Sequence, residues 1–173
     1  MKEFERSESL TRADELMSFV QKENFNESSN YRVAYYGECD YIYTGANLKA
    51  KPFPTYLKTL AKQMEERENL PDGYFNMCLI NKYANFKGLG KHRDNEPEIT
   101  AGSTIASISL GAKRVFSITK GYNTPFIKLD LNHGDVVMMR GKSQVNYYHE
   151  VEKGSGIRYN ITLRHNEKAP KRN

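Results

Sequence analysis

The chain has 173 residues, enough for one domain with a substantial core. Lys+Arg exceed Asp+Glu by 26 to 21, giving a formal net charge of +5 and a pI near 9.1, a moderate excess compatible with a nucleic-acid partner and equally with an ordinary globular protein. With only Cys39 and Cys78, no apolar stretch after Met1 and no run of membrane-spanning length, a disulfide scaffold, a signal peptide and a membrane protein are all disfavoured, and the expectation is a soluble, intracellular protein.

Thr11 and Asp14 form a helix-start signal, and Leu16, Met17, Phe19 and Val20 carry an apolar stripe as far as Gln21. Residues 24–30 are polar and turn-rich, and residues 31–43 have aromatic β character interrupted at Gly37. Pro52 and Pro54 precede a second helix with Tyr56, Leu57, Leu60, Ala61 and Met64 on one side, and Pro71-Asp72-Gly73 ends it in a turn. Short segments rich in β-branched and aromatic residues follow at 75–84, 103–110, 114–119, 126–131, 135–139 and 157–165, separated by Gly, Asn and Pro. Two helices and then at least six short strands predict a mainly β (α+β) fold. Its core would be a double-stranded β-helix (jelly roll), with the N-terminal helices packed outside. The domain is expected to span 1–165, with 166–173 (NEKAPKRN) as a basic, disordered tail.

His92 and Asp94 are two apart, so on extended chain they share a face and can chelate one ion. Alone, a His-x-Asp pair is as readily a polar surface loop. A third ligand must come from His133, His149 or His165. His133 sits in a Leu-Asn-His-Gly-Asp turn signature, and His165 directly follows Arg164 and would face the other way along a strand, which leaves His149. Two imidazoles and one carboxylate bind Fe(II) on one face and leave the opposite positions open. Arg158 and Arg164 are six apart, three strand alternations, with Asn160 and Thr162 between them on the same face. Exposed strand charges are the bland alternative. A stripe of four polar side chains turned inward is costly without a polar ligand, and an arginine fork suits a carboxylate. The combination suggests a dioxygenase using Fe(II), O2 and 2-oxoglutarate. Asn81 and Tyr83 repeat the two-residue spacing and could bond the same ligand, although strand packing explains such a tyrosine equally well.

Asn81-Lys82-Tyr83, His92-Arg93-Asp94-Asn95-Glu96, His149 and Arg158 to Arg164, in this order, resemble the AlkB family of nucleic-acid dealkylating dioxygenases. The similarity extends from about Tyr35 to His165 and takes in Tyr41-Ile42-Tyr43-Thr44-Gly45, the run Ile105 to Ala112, and His133-Gly134 with Met138-Met139. It is closest to the branch that repairs duplex DNA. The resemblance implies that His92, Asp94 and His149 are catalytic iron ligands. It also implies that Asn81, Tyr83, Arg158, Asn160, Thr162 and Arg164 line the 2-oxoglutarate site. Asn95 and Glu96 then contact the target base beneath an aromatic lid of Tyr41 and Tyr43, whose bland alternative is strand packing.

The implied reaction couples decarboxylation of 2-oxoglutarate to hydroxylation of an N-alkyl carbon, which is lost as an aldehyde to restore the base. N1-methyladenine and N3-methylcytosine fit because the lesion lies on the Watson–Crick edge, reachable only in a flipped or single-stranded nucleotide. The expected partner is alkylated DNA or RNA, met by a monomer. Lys87, Lys91, Arg93, Lys113, Arg114, Lys120 and Lys142 are candidate phosphate contacts or, one by one, solvated surface charges. Where the duplex branch carries an aromatic-tipped flipping hairpin, this chain has a short polar stretch with Phe25 and Tyr31 as its aromatic residues. Viral and bacterial relatives in this family act on methylated RNA or single-stranded DNA. A hydroxylase of protein or small molecules and a non-catalytic nucleic-acid-binding module are the competing readings.

Overall fold

In a computed structural model of the chain, residues 3–7, 10–26, 32–121 and 127–172 are described. The chain enters through β1 (Phe4–Ser7) and α1 (Ala13–Val20), then forms β2 (Arg32–Gly37), the hairpin β3 (Tyr41–Tyr43) and β4 (Ala46–Leu48), and α2 (Thr55–Glu68). There follow β5 (Met77–Tyr83), β6 (Leu89–His92), β7 (Ile105–Gly111), β8 (Arg114–Thr119), β9 (Ile127–Leu131) and β10 (Val136–Met139). A four-residue α3 (Ser143–Asn146) leads to β11 (Tyr148–Val151) and β12 (Arg158–Arg164).

Two antiparallel sheets carry the architecture. The larger has the order β1-β10-β7-β12-β5-β2 and the smaller β6-β11-β8-β9. From β5 onward the chain passes back and forth between them, β5, β7, β10 and β12 in the larger and the rest in the smaller, which makes a two-layered, mainly β fold.

β12 lies between β5 and β7, and every one of its seven residues is buried. Its alternation divides two environments. Tyr159, Ile161 and Leu163 join one apolar cluster with Leu16 and Val20 of α1 and Leu57, Leu60 and Met64 of α2, so the helices cover the outer face of the larger sheet. Arg158, Asn160, Thr162 and Arg164 take the opposite face, towards the smaller sheet. A second cluster, including Ile105, Phe116, Ile118, Val137 and Met139, fills the space between the sheets beside them. Tyr35, Tyr41, Tyr43 and Leu79 form a third cluster under the β3–β4 hairpin.

Several expectations need correction. α1 begins at Ala13 after Arg12, with no side-chain cap from Thr11; Arg12 instead pairs with Glu15. β1, β4 and β6 have no counterpart among the expected segments, being three or four residues long and held by pairing rather than by any pattern of their own. The tail expected to be disordered is docked as far as it is described, through residue 172. Arg172 donates to Glu65, which is fully buried on α2 and also accepts the N–H groups of Gly73 and Phe75, while the Asn76 side-chain amide donates to the Asn166 carbonyl and accepts its N–H. Phe25 packs against Tyr159 on the helix-covered face, ring centroids 5.8 Å apart, and so is no free aromatic tip. Tyr31, residues 27–30 of the polar stretch and Phe126 at the start of an expected strand lie outside the described residues.

Candidate metal centre and its two cavities

β6 and β11 pair antiparallel with His92 directly opposite His149, which puts both imidazoles on one face with ring centroids 4.2 Å apart. Asp94 follows two residues after His92, its N–H held by Gln144 Oε1 at 2.8 Å. One ligand atom from each of His92, Asp94 and His149 lies within 4.8 Å of the others, and Asp94 Oδ1 is 3.4 Å from His92 Nε2 and 3.6 Å from His149 Nε2. His92 Nδ1 contacts the Gly90 carbonyl at 2.8 Å, a contact only an N–H can make, so the Nε2 lone pair is free for a metal. Phe116 stacks on the His149 ring at 5.3 Å.

Burial would raise the Asp94 carboxyl, yet the Arg164 guanidinium and the two imidazoles hold it well below the usual carboxylate range. Burial lowers His149, favouring the neutral imidazole that a metal requires. Two imidazole nitrogens and one ionised carboxylate on one side suit Fe(II), and the residues present fit that ion.

Arg164 lines the same cavity as the triad, with three of its N–H groups already engaged within the protein. Its Nη2 and Nε donate to Asp94 Oδ2 at 2.7 and 3.1 Å, and its Nη1 reaches the Tyr41 hydroxyl at 3.3 Å. Arg158, about 20 Å away at the other end of the strand by strand rise, differs. One nitrogen, Nη2, donates to Ser109 Oγ and Asn160 Oδ1, while Nε and Nη1 are buried with no hydrogen-bond partner among the described residues. Arg158 is 1 % exposed, and both burial and the nearby charge of Arg114 depress its pKa. A buried cation with open donors and another cation beside it could hold an anion. Asn81 Oδ1 is likewise buried without a partner. A dicarboxylate reaching from the metal to Arg158 satisfies these groups, so 2-oxoglutarate fits the residues present.

Sequence register explains this polar patch. Asn160 lies opposite Asn81 on β5 and Ser109 on β7, and Thr162 lies opposite Ser107, so polar side chains on three strands share one face. Ser107 donates to Asn160 Oδ1, and Asn160 Nδ2 donates to Thr162 Oγ1. Tyr83 sets its ring under Arg158 at 5.0 Å. Triad and patch line one cavity of about 400 Å³, its mouth included, walled on the apolar side by Leu89, Phe116, Met139 and Val151. Ser107, Ser109 and Gln144 are site residues that the sequence reading passed over. The two serines have a visible signal, polar residues at alternate positions of an otherwise apolar strand, whereas Gln144 has none.

Of the residues expected at the base, Tyr43 lines this cavity, and the Tyr41 and Tyr43 rings lie 5.9 Å apart. Tyr41 is fully buried and donates to Glu96 Oε1 at 2.8 Å; Glu96 Oε2 is buried without a partner. Asn95 is exposed and opens instead into a second cavity on the other side of Asp94. His133 bridges Gly111 N–H and Asp14, and His165 stacks on Tyr74, so neither joins the triad. Arg114 is not a surface phosphate contact. It is 1 % exposed and donates to the carbonyls of Ala84, Lys87, Lys113, Ser155 and Gly156, tying together the loops at the Arg158 end.

A family model described as the 2OG-Fe(II) oxygenase superfamily matches residues 3–164. The human DNA oxidative demethylase ALKBH2 is 31% identical over 143 residues, covering 76% of this chain and 54% of the relative. Human alpha-ketoglutarate-dependent dioxygenase alkB homolog 3 is 32% identical over 162 residues, covering 83% and 56%. The RNA replication protein of Grapevine virus A (isolate Is 151) is 27% identical over 150 residues, covering 85% of this chain and 8% of that protein. The chain thus spans about half the length of the two human relatives. The solved structure of OsALKBH1 aligns over 95% of this chain and 97% of its own with a TM-score of 0.72 at 18% identity, a likeness of fold.

Proposed function

The chain belongs to the 2OG-Fe(II) oxygenase superfamily, within its AlkB family, and from that premise we propose that it removes alkyl groups oxidatively from nucleic-acid bases. The observation that carries the reading is the pairing of the His92, Asp94 and His149 cluster with a buried Arg158 that has two open donors, in one cavity. When bound, Fe(II), O2 and 2-oxoglutarate supply the oxidation, in which the keto acid becomes succinate and CO2 and the N-alkyl carbon is hydroxylated and lost as an aldehyde.

The protein's part is placement and electrostatics. His92, Asp94 and His149 hold the metal from one side. Arg158, with Asn81, Tyr83, Asn160 and Thr162, holds the cosubstrate, and Arg164 braces Asp94 at the metal end of the same strand. Leu89, Phe116, Met139 and Val151 line the same cavity with apolar surface, which strengthens each charge interaction. Tyr41, Tyr43 and Glu96 form the base side, while Asn95 is turned to the second cavity. N1-methyladenine and N3-methylcytosine carry a positive charge, and the open Oε2 of Glu96 and the tyrosine faces suit it.

On this reading the double-sheet roll is a double-stranded β-helix with helices outside, acting as an intracellular monomer on alkylated DNA or RNA. Among the described residues no helix is long and apolar enough to cross a membrane. Incubation with Fe(II), 2-oxoglutarate and N1-methyladenine-containing single- and double-stranded DNA and RNA, followed by nucleoside mass spectrometry, tests the proposal. Conversion to adenine with equal succinate is expected. Succinate release without demethylation of any of the four would move the substrate to protein or small molecules.

A further inference from the structure

The second cavity is separated from the first by Asp94, which lines both. It holds about 610 Å³ of empty space, its mouth included, and lies between the loop after β6 and the short helix α3. Its lining is that of a flat ligand with polar edges. Ile99 and Ile105 give an apolar floor, 8% and 1% exposed, while Val145 stands 58% exposed at the rim. Arg93 is held rigid, its guanidinium 4.0 Å over the Tyr148 ring and its Nε on the Tyr147 carbonyl. Asn95 offers an exposed amide. Ser103 is 9% exposed, and its hydroxyl is buried with no hydrogen-bond partner among the described residues, an expense that a bound polar edge would remove.

We infer that this cavity is a second base site, which takes the unstacked nucleobase next to the target. The inference rests on the nucleic-acid reading above. The two cavities flank Asp94, so with the target base in the first, its neighbour on the same strand is the base placed to take the second. An apolar floor with a fixed guanidinium suits the face of any base, and Ser103 and Asn95 suit its edge. A base can enter only after leaving its own stack, which costs least in a single strand. Phe25 packs on Tyr159 and is not presented as a free tip for opening a duplex.

Ala101 is exposed and lines the second cavity but not the first, so Ala101→Trp is placed to fill the second cavity without entering the Arg158 patch. Binding is measured by calorimetry under anaerobic conditions with Mn(II) and 2-oxoglutarate, using N1-methyladenosine 5′-monophosphate and a trinucleotide with that residue in the middle. Wild type should bind the trinucleotide about tenfold more tightly than the mononucleotide, a stacking-sized gain. Ala101→Trp should erase that difference and leave mononucleotide affinity within twofold, which also reports that the variant is folded. Ser103→Ala should remove part of the gain. If wild type binds both probes but Ala101→Trp keeps the trinucleotide advantage, the second base site is refuted and the dealkylase reading stands. If wild type binds neither, the nucleic-acid reading fails and the inference with it.

Discussion

Replacing Arg158 by Met separates two quantities that usually move together. The guanidinium is buried, has two donors without partners and sits beside the charge of Arg114 rather than an acid. In the ligand-free protein it is therefore a desolvated cation that donates to Ser109 and Asn160 and is favoured further by Tyr83. Methionine of similar length removes the buried charge and leaves those acceptors without it, at about 1 kcal/mol each, against a gain of about 1–4 kcal/mol from losing the ion. Ligand-free stability should stay level or rise. Cosubstrate binding should collapse. Two charge-assisted bonds at about 1.5–3 kcal/mol each, partly replaced by water, give a loss of about 3 kcal/mol, on the order of 10²-fold in Kd. Titration of 2-oxoglutarate into Mn(II)-loaded protein by calorimetry, beside urea denaturation of the ligand-free form, measures both. A 2-oxoglutarate Kd within threefold of wild type would show that Arg158 is a structural cation and that the anion site is elsewhere.

Asp94→Ala should abolish stoichiometric Fe(II) binding in an anaerobic titration, where wild type takes one ion per chain; an unchanged stoichiometry would remove Asp94 from the triad. Arg172→Ala leaves Glu65 as a buried carboxylate held by two backbone N–H groups alone, and the expected loss is about 3–5 kcal/mol in urea denaturation. A change below about 1 kcal/mol would mean that the C-terminal segment is only laid against the domain.

The chemistry was legible where one element carries it. Period-two alternation along Arg158–Arg164 places four polar side chains on one face whatever their neighbours are, and it did so here. Alternation gives a face and not a partner. It groups the two arginines, whereas Arg164 closes on Asp94 and Arg158 is left open towards a ligand. The short strands β6 and β11 have too few residues for a pattern of their own, and they exist because they pair with each other and β11 pairs with β8.

By itself, then, the chain's sequence determined which residues can ligate iron, which way β12 presents its arginines and which helical faces are apolar. Those properties follow from side-chain chemistry and from periods of 2 and 3.6 residues. Only the tertiary structure decided that His149 stands opposite His92, that Ser107 and Ser109 complete the patch around Asn160, and that Asn95 faces away from Glu96 into a cavity of its own. The first two depend on register between strands distant in sequence, where a one-residue slip would turn those side chains to the other face, and the last depends on the path of a loop.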